Sequence, residues 1–161
     1  MLRIGIFGFI VFLSYACTSD IIYSEYQSLD NSEWKQKNEL AFKLEMQDTV
    51  SSYNLFINLR NTKDYEYSNL YLITRMTFPD QTQVIDTLEY EMTDSEGKFL
   101  GSGFSDIKEN KLFYKEKVRF QQSGSYIFQV KQAMRKHNEV SGLESLKGVK
   151  NVGLSVEKKE L

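Results

Sequence analysis

The chain is poor in the residue types that most often mark a chemistry. Its 161 residues include one cysteine, Cys17, one histidine, His137, one proline, Pro79, and one tryptophan, Trp34. A single cysteine excludes a disulfide within the monomer, so stability has to come from a packed core. A zinc-type site would need carboxylates for nearly all its ligands, and no metal or cofactor is expected. His137 lies in the charged run Arg135-Lys136-His137-Asn138 with no evident acid to orient it. It reads as an exposed polar residue, and a Ser or Cys nucleophile with a histidine base is not supported. No block of one charge is present, and a formal net charge of −2 argues against nucleic acid as a partner.

The one long apolar run is at the start. Arg3 precedes Ile4-Gly5-Ile6-Phe7-Gly8-Phe9-Ile10-Val11-Phe12-Leu13, which is followed by Ser14-Tyr15-Ala16-Cys17. A run of about 10 residues suits the core of a secretory signal and is half of the roughly 20 needed to span a bilayer. Residues 1–16 therefore read as a cleaved lipoprotein signal peptide, and Cys17 as the lipidated first residue of the mature chain. Two or three acyl chains hold a protein at a membrane where one binds only marginally, so no basic membrane patch is needed and none is seen. The lone acid in Thr18-Ser19-Asp20 leans toward the periplasmic face. Residues 17–38 read as the lipidated cysteine with a tether and lead-in segment, in which Ile21-Ile22-Tyr23-Ser24-Glu25-Tyr26 can form a first strand.

What is abundant is aromatic: ten Tyr and eleven Phe, which favour strands. From residue 40 the apolar period is two. Leu40, Phe42, Leu44 and Met46 form one series, Tyr53, Leu55, Ile57 and Leu59 the next, then Leu70, Leu72, Met76 and Phe78. Further strands are expected over 82–92, 111–120, 126–134 and 149–157, with 139–147 open between a helical turn and a pinned loop. The expectation is an all-β fold: a single antiparallel β-sandwich, jelly-roll or Ig-like, of about eight strands spanning 39–157, then a solvated tail, 158–161. A closed barrel is the alternative. Gly101-Ser102-Gly103 is not a phosphate loop, since no strand-loop-helix unit surrounds it.

Few polar residues stand out against this pattern. Asp86 shares the inward parity of Val84, Leu88, Tyr90 and Met92, where a carboxylate needs a partner. It is read as hydrogen-bonded at the sheet margin or as lining a polar pocket. Asn69, with Asn61, bounds the connection 62–68, where Asn suits turns. Arg60 and Arg135 fall on outward parity at strand ends, positions for pairing with acids on neighbouring strands or for facing a partner. Trp34 reads as a core or lid residue. Three functions are compatible: a non-catalytic envelope protein, a surface carbohydrate-binding lipoprotein module using Trp34 and tyrosines, and a carboxylate hydrolase centred on Asp86.

An ordered set of short motifs narrows this. Asn58-Leu59-Arg60-Asn61, Tyr67-Ser68-Asn69-Leu70-Tyr71, Pro79, Asp86-Thr87, Gly97, Leu100-Gly101-Ser102-Gly103, Gly124-Ser125-Tyr126, Gln132-Ala133-Met134-Arg135 and Leu146-Lys147-Gly148-Val149-Lys150-Asn151-Val152-Gly153-Leu154 occur in this order. Together they resemble the gliding-motility-associated lipoprotein family of the Bacteroidota, in its H member. The resemblance implies a lipoprotein of the outer membrane, needed for gliding and linked to the associated protein secretion machinery. It also implies no catalytic activity, and partners among the other gliding and secretion proteins of the envelope.

Overall fold

The computed structural model describes residues 20–103, 105–136 and 138–159. The expected signal residues 1–16, Cys17, His137 and the last two residues of the expected tail lie outside the described residues.

Among the described residues, ten strands form two four-stranded antiparallel sheets and one short ribbon. The first sheet has the order β1 (Ile21–Ser28), β10 (Val149–Lys158), β4 (Tyr53–Asn61), β7 (Lys108–Val118). The second has the order β3 (Leu40–Met46), β8 (Gly124–Gln132), β5 (Asn69–Thr77), β6 (Gln83–Glu91). The ribbon pairs β2 (Glu33–Lys35) with β9 (Ser145–Lys147). With the ribbon set aside, the eight long strands follow the order of a jelly roll, two Greek keys folded face to face. The expected antiparallel sandwich is present, with ten strands among the described residues rather than about eight.

The period-two series make the core. Along β3 burial alternates strictly, with Leu40, Phe42, Leu44 and Met46 inward and Ala41, Lys43 and Glu45 exposed. Leu55, Ile57 and Leu59 of β4 face Leu70, Leu72 and Phe128 of the other sheet within one core cluster. Trp34 of the ribbon is fully buried, and its indole N–H donates to the Asn38 carbonyl at 2.9 Å. It belongs to the core and offers no face to a sugar.

One expected boundary moves. Residues assigned to the tether and lead-in segment are woven into the fold: β1 pairs along β10, and β2 along β9. The folded unit thus includes the chain from Ile21 rather than from residue 39, and β10 extends to Lys158, into the expected tail.

The sandwich has two unlike ends. At the first, β1 begins, β10 finishes, and short loops 47–52, 78–82 and 119–123 connect strands. Tyr53, Phe120, Tyr126 and Phe78 stack in series at this end, with ring centroids 4.9–5.6 Å apart. Here the Lys158 N–H donates to the Asp20 carbonyl and the Lys159 N–H to that of Ser52. The second end carries the long connections 29–39, 62–68, 92–107 and 133–148. Gly148 there has φ +80°, and a side chain would run into the backbone of Asp64 and Tyr65. Only glycine fits both demands.

Candidate functional site

Arg60 is placed by β4 on the outer face of the first sheet. Beside it β10 contributes Gly153, where an added Cβ would stand 2.6 Å from the Glu25 carbonyl and 2.8 Å from the Tyr26 ring. The bare backbone lets the Tyr26 ring lie against the strand. The Arg60 guanidinium stacks 4.3 Å above that ring, and the Tyr26 hydroxyl donates to Glu109 Oε1 at 2.6 Å. Arg60 Nη2 completes the triangle at 3.4 Å from both Glu109 oxygens. The Tyr26 hydrogen bond, helped by Arg60, holds the Glu109 carboxyl below the usual range. Burial, then the Glu109 contact, push the Tyr26 hydroxyl up to about 12. Close by, Asn58 donates to the Ser155 hydroxyl at 2.9 Å, and Lys111 joins Glu157 at 2.6 Å while covering the Phe56 ring. The face forms a groove of about 620 Å³ walled by Leu100, Gly101 and Ser102. Of the charged groups on this face, Arg60 and Glu109, and Lys111 and Glu157, are paired with each other, while Glu91 also lines the groove.

Asp86 sits where the edge strands β6 and β7 face each other across the sandwich. It accepts the Tyr114 hydroxyl at 2.9 Å and pairs with Lys115 Nζ at 2.9 Å. Burial opposes its charge, but Lys115 and Tyr114 outweigh that, and the carboxyl falls below its usual value. Burial raises the Tyr114 hydroxyl. Two steps along, Tyr90 donates to the Phe113 carbonyl at 2.8 Å, and burial pushes it up to about 12. These bonds sew the open side of the sandwich shut beside an apolar cavity of about 120 Å³. The Asp86 partners are a tyrosine and a lysine, not the second acid that a glycosidase pair needs.

The structure does not gather the remaining expected positions. Asn69, at the start of β5, donates to Glu89 at 3.3 Å, and its carbonyl accepts the Tyr65 hydroxyl at 2.6 Å. Arg135 is exposed at the far end, bridged through its backbone to Gly142 and bordering a basin with Gln36 and Glu39. Cys17 and His137 are outside the described residues. Sequence reasoning missed Tyr26, Glu109 and Asn110; the last donates to the buried Asn61 at 2.8 Å. The signal for Asn110 was faint: a polar residue on the inward parity of Leu112 and Tyr114. Among the described residues no three His, Cys, Asp or Glu side chains are grouped to hold a metal. No described helix is long and apolar enough to cross a membrane.

Comparison with known proteins places these features in a family. A family model described as GldH lipoprotein matches residues 21–156, beginning at the first residue of β1. The chain is 45% identical over 155 residues to the gliding motility lipoprotein GldH homolog of Christiangramia forsetii, covering 96% of this chain and 94% of that one. To the gliding motility lipoprotein GldH of Flavobacterium johnsoniae it is 38% identical over 156 residues, covering 97% and 96%. Among solved structures, the VP2 subviral particle of infectious bursal disease virus superposes with a TM-score of 0.39 and 13% identity. That match covers 83% of this chain and 32% of the viral one, and is too distant to bear on function. On the span and identity of its sequence matches, the chain belongs to the GldH lipoprotein family.

Proposed function

We propose that the protein is acylated at Cys17, held at the outer membrane on its periplasmic face, and serves gliding motility and the associated secretion machinery as a non-catalytic accessory. The observation that carries this is the near-full-length identity to relatives named gliding motility lipoproteins. The geometry supports the non-catalytic part: Arg60, Asn69 and Asp86 are each held by neighbours within the fold. What remains to offer is surface, above all the outer face around Arg60 and Glu109 and the long connections around Arg135, suited to docking other envelope proteins.

Deletion in a gliding species, with complementation by wild type and by Cys17→Ala, tests the reading. Wild type restores gliding and secretion and fractionates with the outer membrane. Cys17→Ala leaves the membrane fraction and fails to complement. A deletion strain that glides and secretes normally would overturn it.

A further inference from the structure

We infer that the end of the sandwich bearing Asp20 sits directly on the lipid headgroups, an inference that rests on acylation of Cys17. The first argument is reach. The Asp20 carbonyl already accepts the Lys158 N–H, so only Thr18 and Ser19 separate the anchor from the folded unit. Three Cα steps span at most about 11 Å, and the headgroup layer of one leaflet is itself about 5–7 Å thick. The domain cannot stand off from the bilayer on a tether.

The second argument is what this end presents. Asp20, Val50, Ser51, Ser52, Lys117, Arg119, Lys158 and Lys159 border a shallow basin of about 850 Å³. Val50 at its rim is 80% exposed, and Ile21 and Ile22, which follow Asp20 along the chain, are 48% and 47% exposed. Four cations around exposed aliphatic side chains suit a surface of lipid phosphates over acyl chains. Asp20, Asp48, Asp80 and Glu116 share this end and match the four cations in number, so the cations meet lipid phosphate by exchanging these partners for it. Asp48 accepts the N–H groups of Val50 and Ser51, with Lys158 at 3.5 Å. Glu116 lies 3.9 Å from Lys117 and 3.7 Å from Lys159. Such loose exposed pairs are worth little and yield to a phosphate. Bilayer contact at this end directs the long connections and Arg135 away from the membrane, toward partners.

The test uses the mature acylated chain in vesicles of phosphatidylethanolamine and phosphatidylglycerol. Acylation consumes the only cysteine, so one introduced thiol carries a fluorophore without competition. Val50→Cys marks the seated end, Lys63→Cys the far end, and lipids with a nitroxide in the headgroup quench. We expect the label at position 50 to be quenched severalfold more than that at 63. Adding Lys117→Glu and Lys158→Glu to Val50→Cys is expected to reduce that quenching while the thermal unfolding midpoint holds. An acylated chain that floats with its vesicles but shows equal quenching at both positions overturns the seat and spares the anchor. Quenching unchanged by the charge reversals overturns the role given to the cations. A chain that carries no acyl group and fails to float overturns the anchor, and the seat with it.

Discussion

Asp86 is the residue on which sequence and structure meet most directly. Strand parity alone turned it inward and demanded a partner, and the Tyr114 hydroxyl and Lys115 ammonium supply one at 2.9 Å each. The partner could not be read from sequence, because β6 and β7 face each other across two sheets and nothing in either strand records that. The same holds for Arg60: its outward parity was legible, its position over Tyr26 was not, since that depends on Gly153 leaving space two strands from Glu109. Asp86 and Glu109 both titrate below their ordinary values. Their stabilisation is therefore complete above the unfolded carboxylate range, near about 4, and is lost as pH falls through the lower folded values. Asp86→Asn is expected to unfold at lower urea than wild type near about pH 6, the gap closing below about pH 4. Urea titrations across that range check it; a gap of constant size would assign the effect to packing instead of charge.

Among elements, the long alternating strands were plainly legible, the irregular β1 less so, and the shortest strands not at all. β3, with its strict in-out burial, announces itself. β1, read from residues 21–26 as a possible first strand, is fainter, because its residues alternate neither cleanly nor deeply: Ile21 and Ile22 are exposed while Tyr23 and Tyr26 are half-buried. Its role is to extend the first sheet beyond β10, whose Val152, Leu154 and Val156 are fully buried. β2 and β9 span three residues each, too short for a period, yet β2 places Trp34 in the core. The boundary suggested by the onset of apolar alternation near residue 39 is thus physically expensive. A chain starting at residue 39 loses two strands and the Trp34 ring, worth about 3–5 kcal/mol on its own, against a typical total of about 5–15 kcal/mol. It is expected to show no cooperative urea transition by circular dichroism, whereas a chain starting at residue 20 keeps every described strand and unfolds in one step. Cooperative unfolding of the shorter chain would show that β1 and β2 are accessories.

At the scale of the whole molecule, alternation told sandwich but not the order of strands. Jelly-roll pairing is non-local: β1 finds β10 and β3 finds β8, and register is set by which faces bury rather than by neighbouring turns. That order brings both ends of the described chain, Asp20 and Lys159, to one side, with strands running away from them toward the long connections. The consequence is mechanical. A pull between an anchor at Cys17 and a partner gripping the far end runs along β1 and β10 in opposite senses, so their paired hydrogen bonds are strained in shear and resist together. A pull between Asp20 and Lys159 instead peels the same two strands apart one bond at a time. Tweezers attached at positions 20 and 63 should therefore record a higher rupture force than tweezers attached at 20 and 159, and equal forces would rule out this division of labour. With the anchor proposed at Cys17, the fold would resist most along the line between that anchor and its far end.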